Sequence, residues 1–190
     1  MKPLPCSPVR HRLALTRTIA ALFLLAPLYF SAFAAPPLTT IATLDLARDV
    51  GVWQPIALLP NRCQSQCISD TTAAYRLRAD GRLDVIHRCR VANGGYDHVT
   101  GIARHAAQAT SPGVFEVRCA PASLSFLSWV WGDYWILALE PDYRAVLIGS
   151  PNRQYLWVLA RESRLAETVY SRDLELTRAQ GFSSKDIARG

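Results

Sequence analysis

The first 34 residues of this 190-residue chain contain no aspartate or glutamate. They do hold four of the 21 basic side chains, so residues 35–190 carry 17 basic residues against 15 acidic ones. The formal net charge of +6 therefore belongs mainly to the N-terminal segment. Because nucleic-acid binding needs a dense basic surface, we do not expect the chain to bind nucleic acid. The whole chain has only 19% charged and 50% hydrophobic residues, so we predict that residues 35–190 form one folded domain.

The N-terminal segment lacks an apolar run long enough to span a membrane. Residues 18–33 are apolar but are interrupted by Pro27, and a membrane span needs about 20 apolar residues. The run follows a basic region and ends in Ala32, Phe33 and Ala34, the order of a cleaved secretory signal peptide. We predict a signal peptide over residues 1–34 and a single domain over residues 35–190. A retained membrane anchor is the alternative.

The segment also lacks a lipobox cysteine, because Cys6 precedes the apolar run and cannot become a lipidated N-terminus. We therefore expect export to the periplasm without a lipid anchor. Association with the outer membrane remains open.

After cleavage four cysteines remain, an even number that indicates two disulfides in an exported chain, with three possible pairings. They are Cys63, Cys67, Cys89 and Cys119. A metal site using His87, His98 or His105 is the alternative, but Cys63 and Cys67 lack a second close Cys or His pair. We expect no metal and no cofactor.

Short apolar runs separated by turn residues predict an all-β domain. Asp80-Gly81 and Asn93-Gly94-Gly95 are strong turn signals. The predicted strands cover residues 51–59, 72–78, 83–90, 96–105, 114–119, 134–139, 145–148 and 155–160. Eight strands in hairpin order favour an antiparallel up-and-down β-barrel. Residues 165–180 carry Leu165, Val169, Leu174 and Leu176 among charges, which predicts one C-terminal helix packed outside the barrel.

Alternation along the second and third strands predicts which side chains point into the barrel. Arg76, Arg78, Asp84, Arg88 and Arg90 mark the outer face. The predicted inward side chains are then Ala73, Tyr75, Leu77, Leu83, Val85, His87 and Cys89. A phenol and an imidazole among aliphatic side chains favour a small-ligand cavity, with a packed core as the alternative.

The sequence resembles the bacterial lipocalin and apolipoprotein D group. Residues 44–62 resemble the first lipocalin motif, whose hallmark is Gly-x-Trp, here Gly51 and Trp53. Three later stretches agree in order, at residues 74–81, 131–143 and 155–161, and the Gly181-Phe182 pair fits the end of the family helix. The resemblance covers residues 44–187.

The resemblance implies two sets of residues with different roles. Trp53 is expected to close one end of the barrel with Arg161 across its ring, and Asp142 and Tyr143 to lie in the neighbouring turn. The expected ligand-lining side chains are Tyr75, Val85, His87, Trp135 and Trp157.

The resemblance also implies a disulfide pairing at the open mouth. Relatives usually lack cysteines at the positions of Cys63 and Cys119, which suggests that these two pair and leave Cys67 for Cys89. In a regular ladder Cys89 faces a residue near Ala73, so the chain after Cys67 must fold back. Residues 124–131 form an apolar mouth loop in which Phe126 and Trp129 are expected to contact ligand or a membrane surface.

The implied function is that of a carrier, not an enzyme. The expected ligand is a hydrophobic molecule of the fatty acid or lysophospholipid class, held by a monomer or weak dimer and serving cell-envelope maintenance. An enzyme using the Cys89 thiol with His87 as base is one alternative, and a tetrapyrrole carrier using His87 is another.

Overall fold

A computed structural model of the chain describes residues 36–61 and 64–189. The predicted signal peptide, with cleavage after Ala34, lies outside the described residues, and so does Cys63. Within the described ranges, no helix is long and apolar enough to cross a membrane.

Eight antiparallel strands form a closed barrel, as the sequence predicts. Each strand pairs with the next in the chain, and β1 closes the barrel by pairing with both β8 and β2. The strands are β1 (Gly51–Leu58), β2 (Cys67–Leu77), β3 (Leu83–Val91), β4 (Tyr96–His105), β5 (Val114–Arg118), β6 (Gly132–Leu139), β7 (Ala145–Gly149) and β8 (Leu156–Ala160). The bounds of β4 are the predicted ones, and those of the other strands differ by one or two residues, except at β2.

Among the described residues, two α-helices and one further strand lie outside the eight-strand pattern. A short helix, α1 (Leu46–Asp49), precedes β1, and a long helix, α2 (Glu167–Ala179), follows β8. A two-residue strand, β9 (Ala188–Arg189), pairs with β1 at Ala57 and Leu58. Neither α1 nor β9 is predicted from the sequence.

Successive strands reverse direction, so the connections collect at two ends of the barrel. The β1–β2, β3–β4, β5–β6 and β7–β8 connections share one end, which we call the mouth. The other end is closed, because Leu44, Leu46 and Val50 pack against the buried cluster inside the barrel.

Strand β2 is longer than predicted because it contains two irregularities in its pairing with β3. Ser69 pairs with Arg90 and Thr72 with Arg88, so two residues of β2 oppose one of β3, and Asp70 adopts a φ of 52°. A second shift lies between Cys67, which pairs with Val91, and Ser69, so β2 again has one residue more than β3. The extra residues bring Cys67 beside Cys89, with a Cα–Cα distance of 5.4 Å. The predicted Cys67–Cys89 disulfide is confirmed.

The inward alternation holds on β3 and most of β2. Ala73, Tyr75, Val85 and Cys89 are buried, whereas Leu77 is 41% exposed. The prediction that Leu77 points inward is wrong, and Leu77 is the last residue of β2.

The buried face of α2 differs from the predicted one. Tyr170, Asp173 and Thr177 are its buried residues, spaced three and four apart, while Leu174 and Leu176 are only partly buried. The Asp173 carboxylate accepts a hydrogen bond from Arg172 Nη2 at 2.8 Å, and burial raises its pKa. The predicted Leu174 and Leu176 therefore pack against the outer cluster, but they are not the most deeply buried residues of the helix.

Candidate ligand-binding site

The closed end of the barrel is built around Trp53. Its indole is 1% exposed, and Nε1 donates to the Asp49 carbonyl at 2.9 Å. The Arg161 guanidinium carbon lies 3.8 Å from the centre of the Trp53 ring. This stack lies where the resemblance implied it.

Gly51 permits the close approach of Arg161. Its φ is +110°, a conformation that L side chains rarely adopt, and a Cβ there would lie 3.1 Å from Arg161 Nη1. The glycine of the Gly-x-Trp hallmark therefore leaves room for the guanidinium that covers the tryptophan.

The neighbouring β6–β7 turn supports the same end. The Tyr143 hydroxyl accepts a hydrogen bond from the Asp45 amide at 2.8 Å, and the Arg48 guanidinium lies 4.1 Å from the Tyr143 ring centre. Asp142 Oδ1 accepts from the Arg144 amide at 3.1 Å. These contacts tie the segment before β1 to the turn.

Inside the barrel is a cavity of about 70 Å³. It is lined by aliphatic, aromatic and uncharged polar side chains, and no arginine, lysine, aspartate or glutamate of the described chain lines it. Four predicted residues, Tyr75, Val85, His87 and Trp157, lie on its wall. The cavity thus combines an apolar surface with a few polar groups, as small-molecule sites do.

A pair of phenols forms the first polar group of the cavity. The Tyr75 and Tyr134 hydroxyl oxygens lie 3.0 Å apart, and the ring centroids are 6.2 Å apart. Burial, with a smaller effect of the Asp49 charge, raises the pKa of Tyr75 far above its usual value, and that of Tyr134 is raised by burial as well. Both hydroxyls are therefore protonated donors at physiological pH.

His87 forms the second polar group. It pairs across the sheet with Ala73, one inward position nearer the mouth than the Tyr75–Val85 pair. Burial lowers the pKa of His87, so the imidazole is neutral at neutral pH.

Trp157 and Gln64 meet where the cavity opens towards the mouth. Trp157 Nε1 donates to Gln64 Oε1 at 3.3 Å, and the indole stacks on Tyr155 with an interplanar angle of 11°. Both Trp157 and Gln64 line the cavity. Their hydrogen bond therefore joins the β1–β2 connection to β8 at the cavity wall.

Trp135, predicted to line the cavity, lies on the other face of β6. It packs with the outer cluster between the barrel and α2, whereas its neighbours Tyr134 and Ile136 belong to the inner cluster. Side chains alternate along a strand, so the prediction that Trp135 points inward assigned it to the wrong face of β6. Tyr134 points inward instead, and alternation from Ile136 would have identified it.

Phe126 and Trp129, the two predicted residues of the mouth loop, do not line the cavity. They are 79% and 74% exposed. Contacts of Trp131 fix the position of the loop. Trp131 Nε1 donates to the Ser125 carbonyl at 2.9 Å, and the Arg104 guanidinium of β4 lies 3.7 Å from the centre of the Trp131 ring. Phe126 and Trp129 are left pointing to solvent.

The cysteines bear on the enzyme alternative. Cys89 is bonded to Cys67, so the thiol that this alternative requires is consumed. Cys119 is exposed at the end of β5. The predicted Cys63–Cys119 bond stays a prediction, because Cys63 lies outside the described residues.

An eight-stranded barrel with one outer helix, one plugged end and an uncharged cavity defines the class of small-ligand-binding β-barrels. Residues 44–189 match the family model described as lipocalin-like domain. The chain belongs to the lipocalin family, which supports binding of a small hydrophobic ligand.

Sequence relatives include a plant protein and bacterial proteins. The chain is 34% identical over 140 residues to temperature-induced lipocalin-1 of Arabidopsis thaliana, covering 73% of this chain and 74% of that protein. It is 32% identical over 151 residues to the outer membrane lipoprotein Blc of Escherichia coli K12, covering 77% and 80%. Among solved structures, insecticyanin from the tobacco hornworm Manduca sexta has a TM-score of 0.64 at 19% identity, covering 83% and 85%. That likeness supports the fold alone.

Proposed function

We propose that the barrel binds and carries a single-chain lipid of the fatty acid or lysophospholipid class in the cell envelope. The observation that carries the proposal is the cavity itself, whose apolar wall has no charged side chain among the described residues. Transfer of a hydrocarbon chain from water to such a surface lowers the free energy by about 0.8 kcal/mol for each buried methylene.

The size of the cavity adds a condition. Sites for drug-sized ligands enclose about 300–1,000 Å³, and this cavity encloses about 70 Å³. An acyl chain therefore needs the cavity to widen, and we propose that it widens at the contact between Trp157 and Gln64. The small volume also disfavours the tetrapyrrole alternative, although His87 is neutral and lies on the wall.

The cellular setting is part of the proposal. A relative at 32% identity is named an outer membrane lipoprotein, and the N-terminal sequence predicts a cleaved signal peptide. We propose a periplasmic carrier that contacts the membrane surface through Phe126 and Trp129. Exposed aromatic side chains at a cavity mouth are suited to that contact.

The experiment is displacement of N-phenyl-1-naphthylamine, a fluorescent uncharged probe, by oleate and by lysophosphatidylethanolamine. The wild-type protein is compared with Ala103→Leu, a variant that fills the cavity by adding side-chain volume at a buried position of its wall. We expect displacement from the wild-type protein and little probe binding to the variant, with a thermal melt confirming that the variant folds. Failure of both lipids to displace the probe would contradict the proposal.

A further inference from the structure

The Tyr75–Tyr134 pair has one more donor than the protein uses. Two phenols carry two O–H protons, and the hydrogen bond between them, at 3.0 Å, uses one. Within residues 36–61 and 64–189, neither hydroxyl makes another hydrogen bond. Since both rings line the cavity, the second proton is left for a group that enters the cavity.

The surroundings of the Tyr75–Tyr134 pair indicate that the ligand group accepting this proton is uncharged. No cation lines the cavity in the described part of the chain. Burial and, to a smaller extent, the charge of Asp49 raise the pKa values of both phenols. His87, the other titratable residue of the wall, is neutral. A carboxylate beside the phenols would therefore lose its water without gaining a cation, an unfavourable exchange.

We propose that the Tyr75–Tyr134 pair is a recognition site for an uncharged oxygen atom at the leading end of the ligand. The barrel then takes an alcohol, an aldehyde or an undissociated carboxylic acid oxygen first, and it discriminates against the carboxylate anion. This inference rests on the proposed carrier function and narrows its ligand class to undissociated fatty acids and neutral single-chain lipids, because the charged head group of a lysophospholipid cannot lead into the cavity. A lipid entering methyl end first leaves the second phenolic proton unpaired, which disfavours that orientation.

The test compares octan-1-ol with octanoate as competitors of N-phenyl-1-naphthylamine at pH 8, where octanoate is ionised. The variants are Tyr75→Phe, Tyr134→Phe and the double substitution, each removing only hydroxyl groups. Tyr170→Phe, in the outer cluster under α2, is the matched control. Thermal melts and the affinity of the probe itself report whether each variant keeps its fold and cavity.

We expect octan-1-ol to bind the wild-type protein at least about tenfold more tightly than octanoate. The double variant should lose about tenfold in octan-1-ol affinity, while Tyr170→Phe loses nothing, because one hydrogen bond in a buried site is worth about that factor. Each single variant should lose less, since one hydroxyl remains. Equal affinities for the two competitors, or an unchanged double variant, would overturn the inference while leaving the carrier function standing. Failure of the probe and both competitors to bind would instead contradict the carrier function.

Discussion

The guanidinium of Arg161 stacks on the Trp53 ring and also donates hydrogen bonds to five backbone carbonyls. The stacking distance is 3.8 Å from Cζ to the ring centroid. The accepting carbonyls belong to Arg48, Asp49, Val50, Val52 and Tyr143. One side chain on the segment after β8 therefore holds together α1, the start of β1 and the β6–β7 turn.

The first prediction concerns this side chain. A lysine cannot reproduce the planar fork, so Arg161→Lys should lower the free energy of unfolding by about 2–4 kcal/mol. Urea denaturation measures the change. Arg144→Lys, on an exposed residue paired with Glu162, is the control and should change it by less than about 0.5 kcal/mol. An Arg161→Lys protein as stable as wild type would remove the structural role assigned to the cluster.

The second prediction concerns pH. Burial raises the pKa of Asp49 from 3.8 to about 6, against a smaller opposing effect of Arg161. Because the folded pKa is the higher one, folding favours the protonated carboxyl. The resulting stability is full below about pH 4 and is lost as the pH rises through about 6. The loss corresponds to about 3 kcal/mol.

Asp49→Asn should therefore be more stable than wild type at pH 8, and its stability should change less between pH 4 and pH 7. Chemical denaturation at a series of pH values measures both effects. Asp133→Asn, at an exposed position, is the control and should follow the wild-type curve. A wild-type protein whose stability rises relative to Asp49→Asn across this window would contradict the assignment.

The third prediction concerns the disulfide. Cys67 and Cys89 are 22 residues apart, and a cross-link over such a loop stabilises by about 3 kcal/mol through the unfolded chain. The double substitution to serine should lower the unfolding free energy by that amount. Peptide mapping by mass spectrometry under non-reducing conditions tests the pairings directly. A Cys67–Cys119 or Cys63–Cys89 peptide would contradict the account.

The fourth prediction concerns the entrance. Trp157 lines the cavity and is held by Gln64 and Tyr155, so a bound lipid should change its fluorescence. Trp157→Ala should weaken lipid binding while the barrel stays folded. Trp135→Phe, on the outer face of β6, should bind as wild type does. Unchanged affinity of Trp157→Ala would exclude this residue from the site.

The fifth prediction concerns the mouth loop. Phe126 and Trp129 are exposed and contribute little to the core, so Phe126→Ser with Trp129→Ser should leave the melting temperature within about 2 °C of wild type. Co-sedimentation with phosphatidylethanolamine–phosphatidylglycerol vesicles should fall by about tenfold. Equal vesicle binding by the two proteins would show that the loop is not the contact surface.

Much of the fold could be predicted from the sequence because its signals are local. Asp80-Gly81 gives the β2–β3 turn, where Gly81 has a φ of 77° and the Arg82 amide donates to Asp80 Oδ1. The alternation on β3 gave the correct inward face, from Leu83 to Cys89. Such patterns need only neighbours in the chain or in the adjacent strand.

The rest depends on contacts between distant residues. The two irregularities of β2 lie between Cys67 and Thr72, and Asp70 adopts a positive φ in this segment. The residues of this segment do not reveal the irregularities. Helix α2 buries Asp173 because Arg172 neutralises it and also pairs with Glu140 before β7. The partnership of Tyr75 and Tyr134 joins residues 59 apart. Alternation places each phenol on a face but cannot place two hydroxyls 3.0 Å apart.

The most direct test of the carrier function is native mass spectrometry of the wild-type protein and Ala103→Leu after incubation with a mixture of single-chain lipids. The account predicts one bound lipid per wild-type chain and none on the variant whose cavity is filled. An unliganded wild-type protein at lipid excess, or an equal adduct on both proteins, would contradict it.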